Sequence, residues 1–363
     1  MLTNMTGVIL ADSMIHEMRE LEITAASVPF GGRYRMIDFM LSSLVNSNIR
    51  DIAVVTPGDC YPVAEHLGSG REWDLARKKG GLTILPSRAG DADGKSRALY
   101  DALDYVKKGE SRYVLIADAN IIANLNILKL LNYHIEKHAF LTAVYKSNAA
   151  VSDGNNRRVF IKTDKNGRII NADLCKGNEL YGDMLVGIYI TERENLEYLL
   201  NQCIKRDEAG FGRDIILETY EDLDIYGYCY NGYIERIDTI KAYYNANMEL
   251  LESDARHDLF KEGRIYTRER DLAPCLFGEL ANVKNSIIAE GCVIEGSVKN
   301  SVVFGNVRIG KNAAVENSII LRDTDISDGT VLNRCIAKKN IRISQISDNR
   351  GTISVVSERA SKI

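Results

Sequence analysis

The sequence has no excess of basic residues, no closely paired cysteines and no long hydrophobic run. Its formal net charge is -4 over 363 residues, which argues against a nucleic-acid or membrane partner. The seven cysteines are scattered and form no C-x-x-C pair, a pattern typical of reduced thiols rather than of a disulfide framework or a zinc site. The start, MLTNMTGVILAD, has no signal-peptide pattern, and no stretch is apolar enough to span a bilayer. We therefore expect a cytoplasmic protein.

The first 250 or so residues alternate short apolar runs with helical patterns. Strands are predicted at residues 7–11, 52–56, 113–117 and 141–145, and helices at 36–47, 98–107 and 127–138. Strand, helix and strand repeated in this order indicate parallel pairing with crossover helices. Because ligands of such sheets bind at the carboxyl ends of the strands, the residues from Asp12, Pro57 and Asp118 onward are the first candidates for a site.

A different pattern begins near residue 282, where four similar segments follow one another. They are VKNSII at Val283, VKNSVV at Val298, VENSII at Val315 and VLNRCI at Val331. Short β-branched strands joined by Gly, Asn and Asp turns at this period predict a parallel β-helix with one coil per repeat. The alternative, a β-sandwich, would need longer strands joined by hairpin turns.

Several motifs in the right order resemble the ADP-glucose pyrophosphorylase (glucose-1-phosphate adenylyltransferase) family over nearly the whole chain. They are VPFGGRYRMIDF from Val28, REWDL from Arg71, YVLIADANII from Tyr113, LYGDMLVGIYI from Leu180, FGRDIILE from Phe211 and GYIERIDTIKAYYNANMELLE from Gly232. Within the family the chain looks like the GlgD-type subunit of bacteria that carry two paralogous subunits for glycogen synthesis. The resemblance implies an α/β nucleotide-diphospho-sugar transferase (Rossmann-like) domain at 1–250, a linker at 251–275 and a left-handed, hexapeptide-like parallel β-helix at 276–363.

The phosphate-binding loop departs from the family pattern. The resemblance implies a loop LAGGxGxRL after the first strand, whose glycines let backbone N–H groups approach ATP. Here residues 12–17 read DSMIHE, where β-branched Ile15 disfavours positive φ and the two carboxylates repel a triphosphate. The family's lysine before PFGG is likewise replaced by Ala25. The sequence therefore predicts loss of the triphosphate site, the alternative being that another loop binds ATP.

The metal-binding carboxylates are also altered. The family supplies two aspartates for Mg²⁺, which bridges phosphate oxygens during nucleotidyl transfer. One aspartate matches Asp118, whereas the other aligns with Arg236. We predict that Asp118 is vestigial and that Arg236 replaces the second ligand, unless Glu235 or Asp238 reaches into the site instead. Mg²⁺ is accordingly expected only if the chain is catalytic.

The remaining candidates concern substrate and effector. The resemblance implies Lys176 as a counterpart of the lysine that holds glucose 1-phosphate, with a solvated loop lysine as the alternative. Gly94 opens the segment GKSRA, which either binds an anion near the adenosine or is an ordinary helix start. Because this family responds to phosphorylated metabolites, Arg33 and Arg35 are candidate effector ligands. Arg322 and Arg334 are weaker candidates, and each of these cations could equally be an ordinary surface residue.

Two histidines four apart, His134 and His138, have the spacing of a zinc pair. Neither an H-E-x-x-H motif nor a third ligand accompanies them, so we predict a solvated helix face.

Three functions follow from these features. The first is a non-catalytic or weakly catalytic regulatory subunit that modulates a catalytic paralogue, in a tetramer as the family suggests. The second is an active enzyme that makes ADP-glucose and diphosphate from ATP and glucose 1-phosphate. The third, a β-helix acyltransferase, is nearly excluded because such enzymes use a β-helix histidine as base, and the last histidine, His257, precedes that region.

Overall fold

The structure is a computed structural model that describes residues 4–11, 21, 24–58, 60–87, 94–150, 158–174, 181–205, 211–344, 347–348 and 353–357. Contacts divide the chain into two compact units. The first unit consists of Met1–Ser27, Met36–Arg236 and Leu259–Tyr266. The second consists of Val28–Arg35, Ile237–Asp258 and Thr267–Ile363. The loop at 12–17 and Lys176, both singled out above, lie outside the described residues.

The chain up to residue 260 contains the following strands and helices. The strands are Met5–Leu10 (β1), Pro29–Phe30 (β2), Tyr34–Arg35 (β3), Asp51–Pro57 (β4), Gly81–Ser87 (β5), Tyr113–Asp118 (β6), Ile121–Ala123 (β7), Leu141–Ala150 (β8), Val159–Thr163 (β9), Ile169–Leu174 (β10), Tyr181–Glu192 (β11), Ile225–Cys229 (β12) and Ile234–Arg236 (β13). The helices are Met36–Asn46 (α1), Tyr61–Leu67 (α2), Gly94–Asp101 (α3), Leu103–Lys108 (α4), Ile127–Glu136 (α5), Arg193–Lys205 (α6), Arg213–Thr219 (α7), Ile240–Glu249 (α8) and Ser253–Phe260 (α9). The segment 251–275, expected to be a linker, thus contains α9.

The first unit is built on one mixed sheet with the strand order β10-β9-β11-β6-β1-β4-β5, in which β8 also pairs with β11, and β12 with β8. The four predicted strands and the three predicted helices are present, although the helix predicted at 98–107 is divided into α3 and α4. Parallel pairing holds for β6, β1, β4 and β5. β8 runs in the same direction as β6 but is not its neighbour, because β11 lies between them and pairs antiparallel with both; the parallel neighbour of β8 is β12.

Two apolar layers cover the faces of this sheet. One contains residues of α1 and α5, including Ile37, Leu41 and Leu130, and the other contains residues of α3 and α6, including Leu99 and Leu196. Strands with both faces covered are apolar throughout, which explains the uninterrupted buried run of β1 and β6. The core therefore holds the carboxyl ends of these strands in fixed positions.

The carboxyl-terminal part of the second unit is a left-handed β-helix made of three five-stranded parallel sheets. The first sheet consists of Leu276–Phe277, Val293–Ile294, Arg308–Ile309, Asp325–Ile326 and Arg342–Ile343. The second consists of Asn282–Lys284, Ser297–Lys299, Ala314–Glu316, Val331–Asn333 and Ser347–Asp348. The third consists of Ile287–Ile288, Val302–Val303, Ile319–Ile320, Cys335–Ala337 and Ser354–Val356. The predicted fold class is therefore confirmed.

The register of the coils corrects one repeat assignment. Val283 lies beside Val298, and Val298 beside Val315, as the repeats predict. Val315, however, lies beside Leu332 and not beside Val331, so the predicted start of the fourth repeat is wrong by one residue. Leu332 is fully buried whereas Val331 is only half-buried. The inward position needs the apolar side chain, and both residues met that criterion in the sequence.

Asparagines stabilise one corner of the coils. The side chain of Asn285 donates to that of Asn300 at 3.0 Å, Asn300 to Asn317 at 3.4 Å, and Asn317 to Asn333 at 3.0 Å. Asn285, Asn300 and Asn317 have φ between 44° and 47°, a region that asparagine tolerates better than most residues.

In the part of the chain that the structure describes, no helix has the length and apolar character needed to cross a membrane.

Candidate functional site

Asp118 lies at the carboxyl end of the central strand of the first unit. It is the last residue of β6, directly beside Leu10 at the end of β1. The next residue, Ala119, donates its backbone N–H to the Leu10 carbonyl at 3.0 Å, which holds the two strand ends together. Only 5% of the Asp118 side chain is exposed. The carboxylate thus has the position at which the fold predicts a ligand.

Arg236 reaches this carboxylate from a different part of the chain. It ends the short strand β13, which pairs antiparallel with β7 so that Arg236 lies opposite Ile121. Its Nη1 lies 3.1 Å from Oδ2 of Asp118 and donates to the carbonyl of Val186 at 3.4 Å. The Arg236 side chain is 21% exposed. The two residues that the sequence assigned to the metal site therefore meet as a largely buried ion pair.

Gly187 makes the approach of these two side chains possible. It lies in β11 with a φ of +93°, and a Cβ atom built on it would lie 2.6 Å from both Arg236 Nη1 and Asp118 Oδ2. A side chain at this position would therefore displace the end of Asp118 or Arg236, and it would be strained by the positive φ. Gly187 is not among the residues predicted from the sequence. Its signal was a glycine within the β-forming run DMLVGIYI, which often marks the close approach of another group.

The described residues do not fit a Mg²⁺ site. Magnesium requires an octahedral set of oxygen ligands, but Oδ2 of Asp118 lies 3.1 Å from a guanidinium nitrogen that carries the same sign of charge as the metal. Glu235, the alternative ligand, instead forms an ion pair with Lys146. Within the described residues, no group of three His, Cys, Asp or Glu side chains could hold a metal ion.

The other candidates belong to other elements of the chain. Gly94 is the first residue of α3. Arg33 and Arg35 belong to the second unit, where Arg33 Nη2 lies 3.3 Å from Glu269 Oε1 and its guanidinium lies over the ring of Tyr34. Their roles as effector ligands stay predictions, as does that of Lys176.

The prediction of a solvated face for His134 is wrong. Its side chain is 2% exposed, and Nδ1 lies 2.8 Å from Oγ1 of Thr142. Helix α5 buries the face that contains Ile127, Leu130 and His134, and the four-residue spacing from Leu130 was the signal that was overlooked. Burial lowers the pKa of His134 to about 4, against a smaller opposing effect of the Glu192 charge. His138, by contrast, is exposed and follows the end of the helix.

Replacing Gly187 with alanine is expected to lower the free energy of unfolding by about 3 kcal/mol, from a methyl group at positive φ and the displacement of Asp118 or Arg236. Gly58→Ala is the control, because a Cβ there would meet nothing within 4 Å and its φ is not in the restricted positive range. Denaturant unfolding of both variants measures the difference. Equal effects of the two substitutions would show that Gly187 is not crowded.

Two family models match the chain. Residues 21–253 match the model described as nucleotidyl transferase. Residues 277–348 match the model described as GlmU-like, C-terminal hexapeptide. Together with the charged end of the sheet, these matches define the class of nucleotidyltransferases that carry a β-helix.

Named relatives narrow the class. The glycogen biosynthesis protein GlgD of Bacillus subtilis (strain 168) is 32% identical over 355 residues, which cover 96% of this chain and 93% of that protein. The glucose-1-phosphate adenylyltransferase of Desulfitobacterium hafniense (strain Y51) is 31% identical over 327 residues, 88% of this chain and 82% of that protein. That of Acetivibrio thermocellus is 32% identical over 332 residues, 89% of this chain and 78% of that protein. The chain belongs to the glucose-1-phosphate adenylyltransferase family, and its predicted resemblance is confirmed.

Proposed function

We propose that this chain is a regulatory subunit of a bacterial glucose-1-phosphate adenylyltransferase in glycogen biosynthesis, inactive or weakly active alone, which modulates a catalytic paralogue. The ion pair between Arg236 and Asp118 carries the proposal. Nucleotidyl transfer depends on a cation that bridges phosphate oxygens and can move with the reacting groups. The guanidinium of Arg236 is held by Asp118 and by the carbonyl of Val186. It cannot replace the metal ion, because it does not coordinate oxygen ligands and cannot exchange them during the reaction.

An arginine in place of the second metal carboxylate is expected to slow nucleotidyl transfer strongly. Each 1.4 kcal/mol of transition-state stabilisation corresponds to a factor of about ten in rate, so a loss of several kcal/mol slows the reaction on the order of a thousandfold or more. The loop at 12–17 supports the same conclusion from the sequence, because it has no glycine and contains two carboxylates.

Regulation needs surfaces and alternative states rather than an intact reaction centre. The chain keeps the two parts of its family's architecture, the nucleotidyltransferase-type sheet and the β-helix. A subunit of this kind would assemble with the catalytic paralogue, in a tetramer as the family suggests. It would respond to a phosphorylated metabolite through cations such as Arg33 and Arg35.

The test is ADP-glucose formation from Mg-ATP and glucose 1-phosphate, by the pure chain and by its mixture with the catalytic paralogue of the same organism. We expect the pure chain to be at least about a thousandfold slower than the paralogue, and the mixture to differ from the paralogue alone in rate or effector response. Asp118→Asn is the control, because it should leave the residual rate of the pure chain unchanged. Ordinary turnover by the pure chain, abolished by Asp118→Ala, would overturn the proposal.

A second candidate, the active adenylyltransferase, is supported by one observation. Asp118 keeps the family's carboxylate at the carboxyl end of β6. The same assay decides between the two candidates, because only the active enzyme would depend on this carboxylate for turnover.

A further inference from the structure

A cavity of about 570 Å³ lies in the first unit, at the end of the sheet opposite to Asp118. Its lining includes Tyr113, the first residue of β6, and Glu192, the last residue of β11, which lie side by side in the sheet. Tyr113 and Asp118 are five residues apart in β6, so roughly 17 Å separate the two ends of the strand. The volume falls within the range of small-molecule sites. We call it the rear cavity.

One buried polar group in the rear cavity has an unused hydrogen-bonding atom. His134 is 2% exposed and lines the cavity. Its Nδ1 is bonded to Thr142 and its ring packs edge-on against Tyr113. Among the described residues, Nε2 has no hydrogen-bond partner. With a pKa of about 4, the imidazole is neutral at physiological pH and offers a hydrogen bond rather than a charge.

The charges of the lining disfavour an anionic ligand. The lining contains three carboxylates, of which that of Glu192 is paired with Arg112 and that of Asp224 with Arg168 at 3.3 Å, so the carboxylate of Asp222 leaves an excess of one negative charge. Arg112 is already engaged, since its Nη2 donates to Glu192 at 2.8 Å. The carboxylate of Asp222 has no partner in the described part of the chain. A phosphorylated metabolite would therefore be repelled from the rear cavity.

The lining also favours a neutral ligand over a cationic one. It contains donors as well as acceptors: the Asn195 amide donates one N–H to the carbonyl of Phe140 at 3.4 Å and has a second, and the guanidinium of Arg112 has further N–H groups beside the one bonded to Glu192. An ammonium group can only donate and so cannot accept from these N–H groups, whereas a hydroxyl group both donates and accepts. Ile135, which is partly exposed, and Leu223 supply an apolar wall for the C–H face of a ring.

We propose that the rear cavity binds a neutral saccharide, whose hydroxyl groups bond to His134, Asn195 and Asp222 while its ring packs on Ile135 and Leu223. This ligand differs from the phosphorylated compounds expected at the Asp118 end of the sheet. The proposal does not depend on whether the chain is catalytic, because its residues are remote from Asp118 and Arg236.

The test is calorimetric titration of the full chain with maltotriose as the probe. We expect saturable binding at one site, weakened at least tenfold by Asp222→Ala and by Asn195→Ala. Glu221→Ala is the matched control, since Glu221 is the preceding carboxylate, does not line the rear cavity and accepts a hydrogen bond from Tyr220. Asp222 is exposed, so its variant should fold, and circular dichroism verifies this.

Parallel titrations with spermidine and glucose 6-phosphate separate the other ligand classes. Binding of spermidine without maltotriose would overturn the proposal in favour of a cation site. Tighter binding of glucose 6-phosphate than of maltotriose would overturn the claim of neutrality. Absence of maltotriose binding, or binding that Asp222→Ala and Asn195→Ala leave unchanged, would equally overturn it. A shift of the His134 ring-proton NMR signal on adding maltotriose would support it.

Discussion

Replacing Arg236 with methionine is expected to lower the free energy of unfolding by about 3 kcal/mol. Methionine preserves much of the aliphatic bulk but removes the charge that lies 3.1 Å from Asp118. Removing one partner of a buried ion pair typically costs about 3–5 kcal/mol, because the other charge stays buried without compensation. The lower end applies here, since a fifth of the Arg236 side chain is exposed and water can partly replace it.

Denaturant unfolding of Arg236→Met, Asp118→Asn and the double variant measures this effect. The double variant should recover most of the lost stability, because it buries no charge without a partner. Two uncharged side chains, an amide and a thioether, then take the place of the ion pair. A double variant that is less stable than Arg236→Met would contradict the ion pair as the source of the effect. No change in Arg236→Met would mean that the guanidinium does not compensate Asp118.

The stability of the protein is expected to fall by about 3 kcal/mol between pH 6.5 and pH 4 through His134 alone. Burial lowers its pKa from 6.5 to about 4, so between these values the unfolded chain binds a proton that the folded chain does not. Stability is therefore complete above pH 6.5, declines as the pH falls and is fully reduced below pH 4. Since a tenfold change in proton affinity corresponds to about 1.4 kcal/mol, the total is about 3 kcal/mol.

The measurement compares wild type with His134→Gln by denaturant unfolding across this pH range. Other groups titrate as well, so the informative quantity is the difference between the two proteins, which should shrink or reverse toward pH 4. His138→Gln is the control, because His138 is exposed four residues away and its replacement should keep the wild-type pH dependence. Identical pH profiles for wild type and His134→Gln would show that burial does not lower the pKa of His134.

These two predictions depend on residues that the sequence treated very differently. The pairing of Asp118 with Arg236 was foreseeable, because each had been matched to a metal-ligand position and two ligands of one ion must lie close together. Gly187 was not, since its importance arises from β11, which brings a distant segment against both side chains. His134 was misjudged because its spacing to His138 suggested a polar face, whereas the spacing to Leu130 determines which way it points.

In the β-helix, too, part of the structure could be predicted from the sequence and part depended on strand pairing. Its repeats fixed the architecture and three of the four coil positions, because β-branched residues and Asn or Gly corners recur with the coils. The fourth coil was misplaced, since Val331 and Leu332 are both apolar and only pairing with Val315 distinguishes them. A local pattern with a two-residue period cannot settle a one-residue ambiguity between neighbouring apolar side chains.

The sequence by itself determined the two-part architecture and the family, and it led to the prediction that Arg236 replaces the second metal carboxylate. Periodicity, repeats and motif order are properties of neighbouring residues, so they can be read along the chain. Only the tertiary structure decided that Arg236 lies against Asp118, that Gly187 gives them room, and that a cavity containing His134 opens at the other end of the sheet. Contacts between segments distant in sequence depend on strand order and register, which long-range packing fixes and no local pattern contains.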